Sequence, residues 1–375
     1  MSCVRPFKGN VKRIVVFVLV AALIGCGGWF AYKNLRPKKV DPRLKDTTAT
    51  VVPPEGEKPF DPKPLMDKVA ERITTDNFRF AVLGDSKHAA TLPAFIKYLD
   101  ETVKPDFVLT TGDMVAKGGG QPGPGYYQML SKELGADMRS RPWWPAIGNH
   151  EVAGNPVIAG SKTEGQQLQN NQQTGIENFK RFYNLSDDHY SFAFRNCCFI
   201  VLPFRQPQGA QLEWLESELK KGADAKQHLF IVNHLLFFTV GSKNSDDVPN
   251  KETPVTALFK KYGVTAVFSG HDHGYYRTVR NGIPYFVSAG GGATIYAGKR
   301  IKEALPEDVY YNAVESTYDN GKATQYVLHK GTSAPEQITT TPDQFLCVVD
   351  VHGDVINCFT VTVKGEKWDE IQLSK

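Results

Sequence analysis

At 375 residues, with 41% hydrophobic and 22% charged residues, the chain is long enough to bury a large core, and its composition excludes a disordered or fibrous protein. The formal net charge of +4 is unevenly distributed, because residues 1–45 hold 10 of the 44 Lys and Arg residues but one of the 40 acidic residues. The rest of the chain is therefore slightly acidic. Since nucleic-acid binding draws on clustered Lys and Arg, no nucleic-acid partner is expected.

Residues 14–32, IVVFVLVAALIGCGGWFAY, form an apolar segment without a charged residue. A helix of this length crosses the hydrocarbon core of a bilayer. Four basic residues precede the segment and four follow it closely, so charge does not fix its orientation. One interpretation is a transmembrane signal anchor behind a basic tail, residues 1–13. The other is a bacterial lipoprotein signal with Leu23-Ile24-Gly25-Cys26 as its lipobox. The apolar residues after Cys26 favour the anchor, and both interpretations attach the chain to a membrane.

Residues 33–75 are predicted to form an extended linker. Seven prolines lie between residues 33 and 65, among charged and threonine residues. Proline fixes φ and lacks a backbone N–H, so such a stretch disfavours a regular helix. The linker is predicted to hold the folded part of the chain, residues 76–375, away from the membrane, on its extracytoplasmic side.

Short apolar runs alternate with helical patterns after the linker. The runs are bounded by Gly, Asp, Asn or Pro, as buried strands are, and they lie at residues 79–84, 107–111, 198–203, 229–233 and 264–269. Residues 254–262 predict a helix, with Thr253 as N-cap, Pro254 in the first turn and Gly263 just past the end. The alternation predicts an α/β fold.

Polar motifs follow apolar runs at five places. They are LGDSKH with Asp85, TTGDMV with Asp113, AIGNHE with Asn149 and His150, IVNHLL with His234, and FSGHDHG with His271 and His273. Because the carboxyl ends of strands share one edge of an α/β sheet, these side chains can converge on one cleft. Carboxylate and amide oxygens combined with imidazole nitrogens suit Zn, Mn or Fe. The motifs therefore predict a metal centre.

The order Gly-Asp, Gly-Asp, Gly-Asn-His-Glu, His, Gly-His-Asp-His resembles the calcineurin-like metallophosphoesterases over about residues 77–293. The flanking segments RPWWPAIGNHE, GAQLEWLESELK and GIPYFVSAGGGA match as well. The resemblance implies that residues 76–375 form a metallophosphoesterase domain. Its expected fold is a four-layer αββα sandwich of two mixed β-sheets flanked by helices. Its expected activity is hydrolysis of phosphate mono- or diesters.

The resemblance also implies a centre of two metal ions, Mn, Zn or Fe, whose identity the sequence leaves open. Asp113 would bridge the ions and take part in catalysis. The remaining ligands would be Asp85 and His273 for the first metal, and Asn149, His234 and His271 for the second. Two cations roughly 3.5–4 Å apart can acidify a water and offset charge on the attacking and leaving oxygens.

The neighbours of Asn149 carry further expectations. His150 matches the family histidine that contacts the phosphate and protonates the leaving oxygen. For Glu151 two interpretations stay open: it steadies His150 or its loop, or it is a solvated turn residue.

The first motif departs from the family pattern at Lys87. Many members have Asp-x-His there, with the His as a ligand, and purple acid phosphatases instead use a tyrosine at the position of Ala116. Solvent in the vacant ligand position is the favoured interpretation, and contact of Lys87 with the substrate anion is the second. The others are that His88 reaches the metal or the substrate, or that neither side chain does.

The substrate is left open among phosphomonoesters, phosphodiesters, nucleotides and lipid or cell-envelope phosphates. Arg277, just after the last motif, is a candidate substrate contact. A second function stays open: a degenerate phosphoesterase that binds a phosphorylated ligand without turnover, for which the one indication is Lys87. The cysteines suggest one more feature, since a turn at His352-Gly353 would place Cys347 opposite Cys358 and permit a disulfide.

Overall fold

The computed structural model describes residues 58–87, 90–157, 159–241, 250–298, 301–313, 325–331, 336–339 and 341–373. The predicted basic tail (1–13), the predicted anchor (14–32) with its lipobox, and His88 lie outside the described residues. Within the described ranges, no helix combines the length and the apolar character needed to cross a bilayer. The described residues within 48–155 and 168–375 form one compact unit, which contains both sheets and the site described below.

Six strands make up the first sheet. They are β1 (Asn77–Leu83), β2 (Phe107–Thr110), β3 (Trp143–Pro145), β13 (Phe345–His352), β14 (Val355–Thr362) and β15 (Lys367–Leu373). Their order across the sheet is β15-β14-β13-β1-β2-β3. The last three of that order run parallel, whereas β13, β14 and β15 are joined antiparallel.

Nine strands make up the second sheet. They are β4 (Tyr190–Phe194), β5 (Cys197–Val201), β6 (His228–Val232), β7 (Ala266–Ser269), β8 (Tyr275–Arg280), β9 (Ile283–Ser288), β10 (Val309–Ala313), β11 (Tyr326–Lys330) and β12 (Glu336–Thr339). Their order is β12-β11-β10-β8-β9-β7-β6-β5-β4. The strands β5, β6, β7 and β9 run parallel, and the others pair antiparallel, so both sheets are mixed.

The helices lie between these strands along the chain. They are α1 (Lys63–Arg72), α2 (Leu92–Tyr98) with a π-helical continuation (Leu99–Val103), α3 (Gly123–Met138), α4 (Asn149–Val152), α5 (Glu164–Tyr183), α6 (Ala210–Asp224) and α7 (Pro254–Tyr262), with a 3-10 turn at Ile301–Glu303. Leu215 and Leu219 of α6 and Phe259 of α7 are fully buried in one cluster with Ile231 and Val267 of the second sheet. The expected fold of two mixed sheets flanked by helices is confirmed.

The two sheets meet face to face through a core of aromatic side chains. The ring centroid of Phe80 on β1 lies 5.2 Å from that of Phe199 on β5 and 5.3 Å from that of Phe230 on β6. Alternation along β1 places Phe78, Phe80 and Val82 in this core. Each fully buried side chain of this size contributes about 1.5–3 kcal/mol, so the inter-sheet core fixes the strand ends that carry the polar motifs.

Most elements predicted from periodicity are confirmed. The five apolar runs correspond to β1, β2, β5, β6 and β7, with bounds that differ by at most a few residues. The helix at residues 254–262 has the predicted ends. The Thr253 hydroxyl accepts a 3.2 Å hydrogen bond from the Thr256 backbone N–H, and Gly263 ends the helix at φ 66°.

The predicted linker is too long. Its last part folds as α1, and Phe60 before that helix is buried against Phe182, with ring centroids 4.9 Å apart. Pro62 and Pro64 are compatible with α1 because they stand at its start, where a missing N–H costs no hydrogen bond. The folded region therefore begins by Phe60 rather than at residue 76.

Cys347 and Cys358, for which the sequence left a disulfide open, do not lie opposite each other. The turn between β13 and β14 falls at Gly353-Asp354, since His352 pairs with Val355 and Gly353 adopts φ 62°. The register therefore sets Cys347 opposite Thr360 and Cys358 opposite Val349. Both thiols are buried and free.

Candidate metal centre

The structure brings the motif residues together at one edge of the two sheets. Each motif follows the carboxyl end of β1, β2, β3, β6 or β7 within a few residues. The residues gathered there are Asp85, Asp113, Asn149, His150, His234, His271 and His273. Asp85 and Asp113 have no exposed surface, and the three histidines at 234, 271 and 273 are at most 2% exposed.

Backbone conformation at this edge is unusual. Asp85, Asp113 and His271 adopt left-handed conformations with φ of 61°, 56° and 70°. Such residues cost about 1–3 kcal/mol each and cluster at functional sites. Glycines let the loops approach one another. A Cβ at Gly148 would lie 2.4 Å from Asp113 Oδ1, and a Cβ at Gly270 would lie 2.6 Å from Asp85 Oδ2.

Four donor atoms converge in one half of the centre. The Nε2 atom of His234 lies 2.9 Å from Asn149 Oδ1, 3.1 Å from His271 Nδ1 and 3.4 Å from Asp113 Oδ1. His271 Nδ1 lies 2.8 Å from Asn149 Oδ1. The His234 Nδ1 atom lies 2.8 Å from the carbonyl oxygen of Thr111, which can only accept, so Nδ1 carries the proton and Nε2 presents a lone pair. These donors fit a divalent metal ion.

The other half contains Asp85, Asp113 and His273, whose potential ligand atoms lie within 4.8 Å of one another. His273 Nε2 is 3.3 Å from Asp85 Oδ1, while its Nδ1 donates to the Thr294 carbonyl at 2.7 Å. Among the described residues, neither Asp85 Oδ1 nor Asp113 Oδ2 takes part in a hydrogen bond, although both are buried. Two buried, unsatisfied carboxylate oxygens require a cation.

A cation of the chain itself lies in this half. Lys87 Nζ is 2.8 Å from His273 Nε2 and 3.3 Å from Asp113 Oδ2. The favoured interpretation, solvent in the ligand position left by Lys87, does not match this placement. The donor chemistry of the first site suits a metal ion, but the ammonium occupies positions that such an ion would need.

The electrostatics favour ionised carboxylates at the centre. Burial would raise the pKa of Asp113, but the nearby His234, His150 and Lys87 hold it well below its ordinary value. Burial likewise opposes ionisation of Asp85, and its pKa is nevertheless lowered by His273, whose Nε2 lies 3.3 Å from Asp85 Oδ1, and by the proximity of His234. Both carboxylates are therefore available as anionic ligands.

His150 is held at the entrance of the centre. Its backbone N–H donates to Asp113 Oδ1 at 2.8 Å, and its Nδ1 donates to the Ala116 carbonyl at 2.7 Å. The ring then directs Nε2 toward Asp113 Oδ2 at 3.8 Å, with 28% of the side chain exposed. The backbone carbonyl of Ala116 is therefore the acceptor that orients the His150 ring.

Glu151 is a buried structural residue rather than a solvated turn residue. Its Oε2 accepts from the backbone N–H groups of Asp113 and Gly148, at 2.8 and 2.7 Å, and its Oε1 accepts from those of Met114 and Val115, at 2.8 and 3.1 Å. Burial and the charge of Asp113 raise the pKa of Glu151 to about 7. The sequence signal for this role was its place directly after Asn149 and His150.

Arg277 forms an ion pair within the protein, although the sequence made it a candidate substrate contact. Its guanidinium forms an ion pair with Asp369 of β15, with Nη2 3.1 Å from Oδ1. The Tyr275 hydroxyl donates to the same carboxylate at 2.7 Å. The predicted substrate contact therefore is not supported, because the charge of Arg277 is neutralised between the two sheets.

Comparison with known proteins agrees with this geometry. A model of the calcineurin-like phosphoesterase family matches residues 78–275, slightly more than half of the chain. The protein named serine/threonine-protein phosphatase CPPED1 from Danio rerio is 25% identical over 210 residues, which cover 51% of this chain and 62% of that relative, less than two thirds of its length. The solved structure of purple acid phosphatase PPD1 from yellow lupin (Lupinus luteus) seeds has 16% identity and a TM-score of 0.57. The match covers 80% of this chain and 54% of that one, and it shows a shared fold.

Proposed function

The chain belongs to the calcineurin-like phosphoesterase family, and from that premise we propose that it is a metal-dependent hydrolase of phosphate mono- or diesters. The observation that carries the proposal is the convergence of Asp113, Asn149, His234 and His271, in which His234 Nε2 lies 2.9–3.4 Å from a ligand atom of each of the other three. These four residues would hold the metal ion. An ion bound there supplies Lewis acidity to a phosphoryl oxygen and to a water molecule.

The chain's own groups would orient the ester and move its proton. His150 faces the cleft with Nε2, while its Nδ1 proton is committed to the Ala116 carbonyl. A proton for the leaving oxygen must therefore come from Nε2 of the cationic ring. The Lys87 ammonium, 3.3 Å from Asp113 Oδ2, would supply a positive charge to a phosphoryl group bound at the centre.

Two metal ions remain the expectation from the family resemblance, with Asp113 as the bridge. The donor set that contains His234 and Asn149 would hold one of these ions. In the first set, Asp85, Asp113 and His273, the Lys87 ammonium contacts His273. This contact is the observation that favours the alternative function, a non-catalytic protein that binds a phosphorylated ligand.

Hydrolysis by the metal-loaded protein distinguishes the two. We expect turnover of 4-nitrophenyl phosphate or bis(4-nitrophenyl) phosphate in the presence of Mn²⁺, Zn²⁺ or Fe²⁺. Asp113→Asn should lower both activity and metal affinity, by more than the roughly 100-fold that loss of an outer-shell partner costs. Asp224→Asn, on the exposed side of α6, is the matched control. Bound metal without hydrolysis under any condition would favour the binding protein.

We also propose that the enzyme is attached to a membrane, with its catalytic domain outside the cytoplasm. The support is the sequence alone: a charge-free segment of membrane-spanning length, residues 14–32, followed by prolines. The full chain should fractionate with membranes. Cys26→Ser should leave its processing unchanged if the segment is an anchor, and should abolish processing if it is a lipoprotein signal.

A further inference from the structure

Lys87 lies where the first metal ion of the family would lie. Its Nζ is 2.8 Å from His273 Nε2 and 3.3 Å from Asp113 Oδ2, and only 15% of its side chain is exposed. His273 Nε2 is in turn 3.3 Å from Asp85 Oδ1. The ammonium thus contacts two of the three residues that form the first donor set.

The tautomer of His273 allows its ring to accept a hydrogen bond from the Lys87 ammonium. His273 Nδ1 lies 2.7 Å from the carbonyl oxygen of Thr294, which can only accept, so Nδ1 is the protonated nitrogen. Its Nε2 therefore presents a lone pair toward Lys87. The ring cannot easily turn away, because it stacks on Tyr296 with centroids 4.2 Å apart and planes 13° apart. A lysine ammonium has three donors and no acceptor, so it matches this lone pair and the Asp113 oxygen.

The backbone holds Lys87 in this position. Lys87 adopts φ 46°, an uncommon left-handed conformation for a residue with a side chain. Its N–H donates to the Asp113 carbonyl at 3.0 Å, and the N–H of Asp85 donates to the Gly112 carbonyl at 2.9 Å. The loop after β1 is therefore fixed to the loop after β2, and the lysine side chain is directed into the centre by the fold.

We propose that the Lys87 ammonium replaces the first metal ion, so that the centre holds one metal ion, at Asp113, Asn149, His234 and His271. This inference rests on the proposed function, which it makes more specific: a phosphoester would lie between one metal ion and one fixed ammonium. Lys87 and a metal ion cannot both use the His273 lone pair and Asp113 Oδ2. With Lys87 charged, a second divalent ion would also add repulsion to a site whose anionic ligands are Asp85 and Asp113.

Formal charge agrees with one ion. Asp85 and Asp113 carry two negative charges, so the ammonium and one divalent ion leave a formal charge of +1, whereas the ammonium and two divalent ions would leave +3. The two buried oxygens without hydrogen bonds, Asp85 Oδ1 and Asp113 Oδ2, lie on the Lys87 side of the centre. A phosphoryl oxygen entering this half would meet a hydrogen-bond donor that binds it as a point charge, without coordinating a water.

The test measures metal stoichiometry in the full chain, separately from activity. Wild-type protein loaded with excess Mn²⁺ and then freed of unbound metal should retain about one equivalent, and its electron paramagnetic resonance spectrum should show isolated Mn²⁺. Lys87→His rebuilds the Asp-x-His pattern, so it should retain about two equivalents with a spin-coupled spectrum. The matched control is Lys97→His on α2, whose side chain is 71% exposed, and it should behave as wild type.

Each result decides the inference. Two equivalents in the wild type, or one equivalent in a folded Lys87→His variant, would overturn it. If Lys87→His does not fold, Lys87→Met, which keeps the aliphatic side chain, must bind more Mn²⁺ than wild type for the inference to stand. The proposed function fails separately: one equivalent of metal with no hydrolysis of either nitrophenyl ester would leave the Lys87 assignment intact and reject the enzyme.

Discussion

Glu151 accepts a 2.8 Å hydrogen bond from the backbone N–H of Asp113. The same carboxylate accepts from Gly148 at 2.7 Å, so one buried side chain joins the loop that carries Asp113 to the loop that carries Asn149 and His150. Two further N–H groups, of Met114 and Val115, bind its other oxygen. The relative positions of the predicted bridging ligand and the predicted acid therefore depend on a residue that need not touch the substrate.

Glu151→Gln tests this dependence. The Gln side chain has one acceptor oxygen instead of two. Two of the four backbone N–H groups would therefore face its NH₂ group and lose their hydrogen-bond acceptor. Each orphaned buried donor costs about 1–3 kcal/mol, so for two of them we expect a loss of about 2–6 kcal/mol in the free energy of unfolding, with weaker metal binding. Urea denaturation and metal titration measure both.

Glu101→Gln, whose carboxylate is 64% exposed, is the control for the charge change. Unchanged stability and unchanged metal affinity in the Glu151 variant would show that these hydrogen bonds do not position the centre.

The residues of the candidate metal centre were predictable because each follows the end of a strand within a few residues. An apolar run, a glycine and a polar side chain form a local pattern, and β1, β2, β3 and β7 are all followed by it. The glycines are required where loops touch, as at Gly148 and Gly270. Sequence alone could therefore locate the site and its donor types.

The partners of individual side chains were not predictable, because they come from distant parts of the chain. Asp369 meets Arg277 only because β15 and β8 lie in sheets that pack together. Lys87 reaches His273 across 186 positions of sequence. The strands β10, β11 and β12 were not predicted either, because their pairing depends on the edge that β8 offers.

His150→Ala should separate proton donation from metal binding. The imidazole donates to the Ala116 carbonyl and faces the cleft, and its side chain is outside both donor sets. We expect metal content to stay at the wild-type level, while kcat falls about 100- to 10,000-fold for alkyl phosphates, whose leaving groups need a proton. 4-Nitrophenyl esters should be affected much less. Equal slowing of both ester classes would remove His150 from the acid role.

Arg277→Gln should lower stability and leave catalysis unchanged. The guanidinium and the Asp369 carboxylate have side chains 12% and 8% exposed, so removal of one leaves a mostly buried charge. Breaking such a pair costs about 3–5 kcal/mol. Thermal and urea denaturation should show the loss, whereas KM stays at the wild-type value in the folded range. A raised KM with normal stability would restore Arg277 as a substrate contact.

His189 gives a pH dependence outside the metal centre. Its Nδ1 lies 2.7 Å from Asp188 Oδ1, and this hydrogen bond raises the pKa of His189 despite partial burial. A raised pKa in the folded state stabilises the protein below the unfolded value of about 6.5, and that contribution is lost as the pH rises through the folded value. Asp188→Asn should therefore lower the free energy of unfolding at pH 6 more than at pH 8. The opposite order, or a constant difference, would contradict the pairing.

The folded region could start at Phe60 or at residue 76, and these two starting points predict different results when the chain is truncated from its N-terminus. If the folded region begins at Phe60, a chain lacking residues 1–57 should be folded, with cooperative thermal unfolding. A chain lacking residues 1–75 should aggregate, because it loses Phe60 and α1, whose Met66, Val69 and the adjacent Ile73 belong to the inter-sheet core.

Each of these side chains contributes about 1.5–3 kcal/mol, which together is a large part of the 5–15 kcal/mol that holds a typical domain folded. Arg195 also donates to the Ala70 and Ile73 carbonyls, and would lose both acceptors in the shorter chain. Circular dichroism melts of the two fragments check this. Equal melting temperatures would show that α1 is not needed for folding. Failure of the longer fragment to fold would show that residues before Lys58 are part of the fold.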